Sequence, residues 1–389
     1  MKRREFCWCL FLGTASIFSG CDFKRNKDDP EEPSSAHPKR GMEREFIEDP
    51  SNEGKKEAIF FQKIDNNKIR CKLCFRECVI NIGERGFCRN RENIQGTLYT
   101  LVYGIPSAVR VDPVEKLPLK HFMPRSYRFN IGTAGCNLRC KYCHNWRLSQ
   151  KSIEEVGRIQ KLPPSEAIRR ANERKIPSIS FTYNEPTVFF EYMYDIAREA
   201  KKNGFNVLLN SNGMIKKEPL LELMNYLDAV NIDLKGFTED FYESVTGGSL
   251  QQVLETINII KEKDKWLELV NLVVPTLNDD LGEIRMMCRW IVNNPGPETP
   301  LHFTRFSPSY KLSDLSPTPV ETLENALNIA KEEGIKFVTI GNVPGHKNNS
   351  TFCPECGKIL IKRSHFSVIE MNIKDGKCEF CNTEIAGVW

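Results

Sequence analysis

The chain has no strong excess of charge of either sign. Its 389 residues include 55 Lys and Arg and 51 Asp and Glu, which gives a net charge of +4 at pH 7. Proteins that bind nucleic acid usually present a concentrated basic surface, and no basic stretch with interleaved aromatic residues is present. The composition therefore argues against nucleic acid as a partner.

Long hydrophobic runs are also scarce. The largely apolar stretch 7–20 is too short to cross a membrane comfortably, and basic residues precede it at positions 2–4. We therefore predict that residues 1–21 are a targeting segment outside the fold. Arg3 and Arg4 resemble a twin-arginine export signal, and residues 18–21 resemble a bacterial lipobox in which Cys21 is lipidated.

This segment predicts a protein that touches the membrane only through a lipoprotein-like anchor. An uncleaved extension on a cytoplasmic protein is the alternative. Residues 22–57 contain very few apolar side chains and many charged residues, prolines and serines. Such a segment buries too little surface to offset the entropy of ordering, so we predict a disordered linker.

Cysteine, by contrast, is abundant, with 15 in the chain. Most of them fall in Cys-x2-Cys and Cys-x3-Cys spacings, which are typical of metal sites rather than of a disulfide framework. Such thiols need reducing conditions while the metals are loaded. Cys288 stands alone in a helical pattern, and we interpret it as a small buried apolar side chain.

The densest group is formed by Cys136, Cys140 and Cys143, after a segment that contains Gly132 and Gly135. Glycine lets the backbone wrap closely round a bulky group. Three soft ligands on one loop suit an iron–sulfur cubane, because each can bind a different iron. A cubane normally takes four cysteines, so the missing ligand leaves one iron open. A structural zinc or cluster completed by another cysteine is the alternative.

This loop resembles the signature of the radical S-adenosylmethionine (SAM) enzymes. In that family the open iron of a [4Fe–4S] cluster chelates SAM, and one electron splits SAM into methionine and a 5′-deoxyadenosyl radical. The resemblance places Tyr142 near the adenine. It also implies an electron donor such as a flavodoxin or ferredoxin. Because SAM and low-potential electrons are cytosolic, this chemistry favours the cytoplasmic alternative over export.

Residues 58–126 form a predicted N-terminal Cys-rich module. Its thiols are Cys71, Cys74, Cys78 and Cys88. A structural zinc is the simplest interpretation, and a second iron–sulfur cluster is the alternative. The stretch resembles the N-terminal cysteine region of radical SAM enzymes related to the activating enzymes of glycyl-radical enzymes.

Residues 127–345 alternate short apolar runs with amphipathic helical patterns, which predicts an α/β fold with parallel strands. Candidate strands span 127–131, 178–182, 206–210, 229–233, 267–273, 301–305 and 336–340, and one of the helices is predicted over 187–203. The resemblance makes this core a partial (βα)6 radical SAM barrel that is open on one side and has one extra strand.

Polar residues follow successive predicted strands, where parallel barrels place their active sites. Residues 182–186 resemble the family's Gly-Gly-Glu segment, which holds the SAM amino group; Glu185 keeps the acidic position, but Tyr and Asn replace the glycines. The resemblance assigns Asn212, Asp233 and Lys235 to the ribose and carboxylate of SAM. His302 on the sixth strand is a further candidate for cofactor binding, although a lone strand histidine is often structural.

The tail, residues 346–389, carries two Cys-x2-Cys pairs: Cys353 with Cys356 and Cys378 with Cys381. This spacing predicts a zinc-ribbon-like module, with a rubredoxin-type iron as the alternative. So small a module has too few apolar residues to fold alone, so the metal would form its core.

Residues 71–389 as a whole resemble the radical SAM component of the AmmeMemoRadiSam system. The matching segments are the N-terminal cysteines, the loop 136–143, and the stretches 182–187, 231–236, 341–346 and 385–389. The relationship to glycyl-radical activating enzymes implies hydrogen abstraction from a substrate, which we expect to be a polypeptide. Modification of a small molecule is one alternative. A metal-binding redox or interaction protein that keeps the fold without SAM chemistry is the other.

Overall fold

The computed structural model of the chain describes residues 54–157 and 160–389. The predicted targeting segment, with Arg3, Arg4 and Cys21, and nearly all of the predicted linker lie outside the described residues. Within the part that is described, no helix combines the length and the apolar character needed to cross a membrane.

Six short strands form the N-terminal module: β1 (Lys56–Glu57), β2 (Phe61–Lys63), β3 (Ile69–Cys71), β4 (Val79–Ile80), β5 (Arg91–Ile94) and β6 (Thr97–Thr100). They pair antiparallel in two small sheets, β1-β6-β5 and β2-β3-β4. Because β1 pairs with β6, ordered structure begins before residue 58, where the linker was predicted to end.

The core sheet contains β7 (Ala108–Pro113), β8 (Tyr127–Gly132), β9 (Ser178–Phe181), β10 (Asn206–Ser211), β11 (Ala229–Asp233), β12 (Trp266–Val273), β13 (Leu301–Arg305) and β14 (Val338–Gly341). Strands β8 to β14 are parallel and lie in chain order. The seven predicted strands are confirmed. Each reads as an apolar run because the strands of a parallel sheet are buried on both faces.

The helices that connect these strands are α1 (Trp146–Ser149), α2 (Ile153–Val156), α3 (Pro164–Glu173), α4 (Phe190–Lys202), α5 (Lys217–Met224), α6 (Glu239–Phe241), α7 (Leu250–Glu262), α8 (Leu281–Asn293) and α9 (Val320–Glu332). The helix predicted over 187–203 corresponds to α4, preceded by a 3-10 turn at Pro186–Phe189. Gly204 follows α4 with φ 77°, a conformation that favours glycine and ends the helix.

Strand β7 departs from the predicted domain boundary at residue 126. It belongs to the sequence-predicted N-terminal module but pairs antiparallel with β8, with Asp112 opposite Arg128. As an edge strand it is only partly buried, so it lacks the apolar run that marks its neighbours. The first strand of the core sheet is therefore supplied from outside the predicted core.

A buried carboxylate joins the start of the core to the middle of the sheet. Glu268 on β12 accepts hydrogen bonds from the backbone N–H groups of Lys120 and His121, at 2.7 and 2.8 Å. It also accepts from Trp266 Nε1 at 2.8 Å and from His302 Nε2 at 2.7 Å. Burial alone would raise the pKa of Glu268, but His302 and the other donors lower it to about 2, so it stays ionised.

The tail forms β15 (Thr351–Phe352), β16 (Ile359–Ser364), β17 (Ser367–Met371), β18 (Ile373–Lys374) and β19 (Lys377–Cys378). The first three strands make one antiparallel sheet, and the last two make a hairpin. The chain then returns to the core, where Val388 N donates to His121 O at 2.8 Å and Met123 N donates to Val388 O at 2.6 Å. The tail is therefore packed on the core rather than tethered to it.

Candidate functional site

A cavity of about 520 Å³ lies at the carboxyl ends of the core strands. Its walls include side chains from β7 and β8 on one side and Thr304 of β13 on the other. Strands β8 and β13 are five steps apart, roughly 24 Å in a flat sheet. Because one cavity touches both, the sheet must curve around it.

The three loop cysteines line this cavity together. Cys136 and Cys140 are buried and Cys143 is half-buried. Leu138 N donates to Cys136 Sγ at 3.4 Å, and Cys143 Sγ lies 3.2 Å from Ser149 Oγ.

A site for a single metal ion needs its ligand atoms close together. Four thiolates on one tetrahedral zinc lie about 3.8 Å apart, since each Zn–S bond is about 2.3 Å. Among the described residues, only the tail cysteines bring three or more metal-ligating atoms within 4.8 Å of one another. The loop cysteines are thus not gathered as the tail cysteines are, and three thiols on one cavity wall fit a group in which each binds a different metal.

Five predicted site residues reach the same cavity: Tyr142, Glu185, Asn212, Asp233 and Lys235. The Tyr142 hydroxyl is buried, with no hydrogen-bond partner in the part of the chain that is described. Burial is the main cause that raises the pKa of Tyr142, so the hydroxyl stays protonated. Buried polar atoms are normally paired, so this unpaired hydroxyl at a cavity wall fits a bound ligand.

A charged pair lies beside the cysteine loop. Lys235 Nζ is 3.0 Å from Asp233 Oδ2, and Lys235 N donates to Tyr242 Oη at 3.0 Å. Burial alone would lower the pKa of Lys235, but Asp233 and then Tyr142 outweigh it, so the pKa is raised and the ammonium stays charged. This pair offers both a cation and an anion to the polar groups of a ligand.

The Glu185 carboxylate accepts its hydrogen bonds from groups of the protein itself. Its carboxylate accepts from Thr187 N at 3.0 Å, Thr187 Oγ1 at 2.7 Å, Ser211 Oγ at 2.8 Å and Asn212 N at 2.8 Å. A carboxylate has about four acceptor sites, so these bonds use nearly all of them. Glu185 therefore ties the loop after β9 to the loop after β10, and little acceptor capacity is left for the SAM amino group that the sequence assigned to it.

The loop after β9 keeps a glycine-like backbone without glycine. Tyr183 has φ 77°, which L-residues rarely adopt. Its hydroxyl donates to Asp112 Oδ2 at 3.0 Å, and Asn145 Nδ2 donates to its carbonyl at 2.7 Å. Asn184 accepts from Thr133 N at 3.0 Å and donates to Gly135 O at 2.9 Å. Side-chain hydrogen bonds therefore hold a backbone conformation that glycine would adopt without strain.

His302 is not among the residues that line this cavity. Its ring lies between Glu268 and Thr339, with Nδ1 2.8 Å from Thr339 Oγ1, and it is buried. It faces a second cavity of about 340 Å³. The two cavities share Lys116, Val270 and Thr304 in their walls, so they adjoin. His302 therefore belongs to the Glu268 network and lines the second cavity rather than the first.

Asp112, Arg128 and Gln150 are among the cavity residues that had no role in the sequence analysis. Gln150 Oε1 is buried with no hydrogen-bond partner in the described ranges. Arg128 is buried and donates to Ser180 Oγ at 2.8 Å. A charged residue near the start of a buried strand was the available signal for Arg128; no sequence signal marks Gln150.

The tail cysteines form a compact site. Cys353 Sγ is 3.6 Å from Cys381 Sγ, and Cys356 Sγ is 3.8 Å from Cys378 Sγ. All four sulfurs lie within 4.8 Å of one another, which fits one tetrahedral ion. Iron in a rubredoxin-type site would fit the same sulfurs.

Replacing the exposed Cys356 and Cys381 with serine should remove about one zinc per chain, because a four-thiolate site loses half its ligands. Metal analysis of the double variant is expected to show unchanged iron. The serine substitutions retain the residues of the tail that contact the core, such as Val388, which a truncation at residue 346 would remove. An unchanged zinc content would refute the zinc assignment.

The N-terminal cysteines also converge. Cys71, Cys74, Cys78 and Cys88 line a small, largely apolar cavity together with Leu73, Ile80, Phe87 and Val188. Phe87 N donates to Cys78 Sγ at 3.5 Å. The module therefore brings four thiols to one place, as the sequence predicted.

Comparison with known proteins agrees with this site. Residues 130–290 match the Radical SAM superfamily. An uncharacterized protein of Methanocaldococcus jannaschii is 46% identical over 333 residues, which cover 85% of this chain and 98% of that protein. The pyruvate formate-lyase 1-activating enzyme of Escherichia coli strain K12 is 27% identical over 226 residues, covering 54% and 91%.

A second Methanocaldococcus jannaschii protein, named a putative glycyl-radical enzyme activating enzyme, is 30% identical over 175 residues, which cover 43% of this chain and 64% of that protein. The matched superfamily implies an iron–sulfur cluster and SAM, and the cysteine loop and cavity described above supply residues that fit both. The chain is an enzyme of the radical SAM superfamily, related to the activating enzymes of glycyl-radical enzymes.

Proposed function

We propose that this enzyme cleaves SAM reductively at a [4Fe–4S] cluster bound by Cys136, Cys140 and Cys143, and that the resulting radical abstracts hydrogen from a polypeptide. The observation that carries the proposal is the group of three thiols at the wall of a cavity with unpaired polar atoms, a wall to which no fourth cysteine of the described residues belongs. When bound, the cluster supplies the single electron that breaks the sulfonium bond of SAM.

The chain's own residues bind and orient SAM in this proposal. Tyr142 presents a buried hydroxyl beside the cysteine loop, and Asp233 with Lys235 presents paired charges to the polar groups of SAM. Asn212 contacts the loop itself, because its Nδ2 donates to Asn137 Oδ1 at 2.9 Å and lies 3.8 Å from Cys136 Sγ. Glu185 acts by holding Asn212 in place.

The name of a relative and the shape of the two cavities support a polypeptide substrate. The E. coli relative is named for activating pyruvate formate-lyase, which is a protein. In this chain, the site cavity adjoins the second cavity, whose wall includes His365 and Phe366 from the turn between β16 and β17. Two adjoining cavities with a wall from the tail suit an extended segment of a partner better than a single closed pocket would.

A small-molecule substrate is the second candidate. Arg128 is a buried cation in the cavity wall, and Asp112 lies opposite it on β7. Such a pair is suited to a small polar or anionic molecule, because a few convergent polar groups fix its orientation.

Transfer of deuterium from the substrate to 5′-deoxyadenosine distinguishes a polypeptide substrate from a small-molecule substrate. Extract from the native host, grown in deuterated medium, would be divided by ultrafiltration into protein and metabolite fractions. Each fraction would be incubated with the reduced enzyme and unlabelled SAM. We expect deuterium in 5′-deoxyadenosine only with the protein fraction. Transfer from the metabolite fraction alone would contradict the polypeptide proposal. The electron donor in this scheme is a protein of the flavodoxin or ferredoxin type.

Substituting Glu185 with Gln should disturb the site rather than remove one contact to SAM. The new amide would place an N–H₂ group against another donor, either Asn212 N–H or the donors at Oε1. We expect a loss of about 1–3 kcal/mol in the free energy of unfolding, together with weaker SAM binding. Urea denaturation and calorimetry measure the two effects. Weaker SAM binding at unchanged stability would instead favour a direct contact with the amino group, worth roughly 1.5–3 kcal/mol.

We also propose, from the sequence alone, that Arg3 and Arg4 direct export and that Cys21 carries a lipid anchor. Labelling with a fatty-acid probe should mark the wild-type protein, and the Cys21→Ser variant should remain unlabelled and leave the membrane fraction. An unlabelled wild-type protein with an intact N-terminus would support the cytoplasmic alternative.

A further inference from the structure

Arg128 is a buried cation in the wall of the first cavity, far along β8 from the cysteine loop. It is the second residue of the strand, roughly 13 Å before Gly132, after which the cysteine loop begins. Arg128 is 2% exposed, and it lines the same cavity as Cys136. The cavity therefore extends from the cysteine loop towards the start of the strand.

No carboxylate contacts the Arg128 guanidinium directly. In the described part of the chain, no carboxylate oxygen lies within 4 Å of its nitrogens. Nε donates to Pro113 O at 3.3 Å, and Nη1 donates to Ser180 Oγ at 2.8 Å and to Asn130 Oδ1. Nη2 makes no hydrogen bond to any described residue. One guanidinium nitrogen with two N–H donors is therefore left for a ligand.

The carboxylate of Asp112, opposite Arg128 on β7, is occupied by other groups. Its Oδ1 accepts from Lys116 Nζ at 2.8 Å, and its Oδ2 accepts from Asn130 Nδ2 at 2.8 Å and from Tyr183 Oη at 3.0 Å. Lys116 thus neutralises Asp112, and the charge of Arg128 remains uncompensated. Burial lowers the pKa of Arg128 to about 10 and Asp112 only partly opposes this, so the guanidinium is still charged at pH 7.

Buried charges in proteins are normally paired, because an unpaired charge loses its hydration without compensation. Arg91 follows this rule, since Glu191 holds both of its terminal nitrogens. Arg363 is buried with no carboxylate oxygen of the described residues within 4 Å, but it lies in the wall of neither cavity. Arg128 combines an uncompensated charge with a place in the cavity wall, and these are the properties of a site that binds an anion.

We infer that the substrate presents an anionic oxygen group, a carboxylate or a phosphate, to Arg128. Guanidinium groups bind both through charge-assisted hydrogen bonds. SAM also carries a carboxylate, but the proposed function places that group at the open iron beside the cysteine loop, so Arg128 is available to the substrate. The identity of the ligand as the substrate rests on the proposed function, whereas the anion site does not.

The second cavity provides space for the rest of the substrate. It shares Lys116, Val270 and Thr304 with the first cavity, and its wall includes His365 and Phe366 of the tail. On a polypeptide, the anionic group would be an acidic or phosphorylated side chain or the C-terminal carboxylate. The residues next to that group would extend past Lys116 into the second cavity.

Calorimetry with two small probes tests the anion site without the radical reaction. The full chain, reconstituted with iron and sulfide, would be titrated in the presence of SAM with succinate and, separately, with inorganic phosphate at constant ionic strength. We expect at least one probe to bind, and Arg128→Gln to weaken that binding at least about tenfold. The tighter probe identifies the ligand as a carboxylate or a phosphate. Equal binding by the variant, or no binding of either probe by the wild type, would overturn the inference.

Two further variants distinguish ligand binding from a structural role. Arg110→Gln removes an exposed arginine from β7 and should change the affinity less than about twofold. Asp112→Asn should strengthen anion binding about three- to tenfold, because it removes a negative charge opposite Arg128 and frees Lys116. If Arg128→Gln does not fold, Asp112→Asn provides the decisive measurement, and weaker or unchanged binding by that variant would refute the anion site.

Deuterium transfer tests whether the ligand of Arg128 is the substrate. With the deuterated fraction that labels 5′-deoxyadenosine, Arg128→Gln should lower the deuterium content per 5′-deoxyadenosine at least about tenfold, and Arg128→Lys should restore part of it because the charge is kept. An unchanged deuterium content would exclude a role in substrate binding. Loss of SAM affinity in Arg128→Gln at unchanged probe binding would assign Arg128 to SAM instead. Failure of the proposed function would abolish 5′-deoxyadenosine formation by the wild type and leave the calorimetric result intact.

Discussion

Replacing Cys140 with Ala is expected to abolish the formation of 5′-deoxyadenosine from SAM. Cys140 is buried in the cavity wall and is one of only three thiols in the loop. A cluster that already has one open iron would lose a second ligand, and the cubane would be unstable. Anaerobic assays with dithionite and SAM measure the product by chromatography.

Cys356→Ala is the matched control. This cysteine is exposed in the tail, so its loss should affect tail metal and leave 5′-deoxyadenosine formation intact. Product formation by Cys140→Ala at the wild-type rate would refute the assignment of the cluster to this loop.

Glu191→Gln is expected to cost about 3–5 kcal/mol in the free energy of unfolding. Glu191 on α4 and Arg91 on β5 form a buried bidentate pair, with side chains 0% and 2% exposed. Burial alone would raise the pKa of Glu191, but Arg91 outweighs it and the pKa is lowered, so the pair is ionic. The amide would leave the Arg91 charge uncompensated. Urea denaturation measures the loss.

The chain contains a matched exposed pair for comparison. Arg85 contacts Glu154 with two bonds of 2.8 Å, but the Glu154 side chain is 56% exposed. Glu154→Gln should therefore cost less than about 1 kcal/mol. Equal losses in the two variants would show that burial does not determine the strength of these pairs here.

The core strands were predictable because the pattern of a buried strand is local. All seven parallel strands were found within two residues of their observed ends, as at β14, predicted to begin at 336 and observed from Val338. Strand β7 was missed because only its pairing with β8, not its composition, shows that it belongs to the sheet.

The site was predictable as a set of residues but not as a set of roles. Successive strand ends brought Tyr142, Asn212 and Asp233 together as expected. The role of Glu185 could not be foreseen, because two of its donors come from Ser211 and Asn212 on another loop. The position of His302 outside the first cavity could not be foreseen either: its partner Glu268 lies on the preceding strand, and sequence spacing does not reveal that contact.

The distances between the cysteine sulfurs likewise cannot be predicted from the sequence. The sequence shows four cysteines in the N-terminal module and four in the tail, and both spacings suggest zinc. Only the folded chain shows that the four tail sulfurs lie within 4.8 Å of one another, and that the four N-terminal cysteines line one small cavity.

The reductive cleavage of SAM by the wild-type enzyme tests the central claim most directly. The protein, reconstituted with iron and sulfide under anaerobic conditions, would be mixed with SAM, with and without dithionite. We predict that methionine and 5′-deoxyadenosine form in equal amounts and only with the reductant. Binding of SAM without any cleavage, by protein whose iron content is complete, would contradict the account.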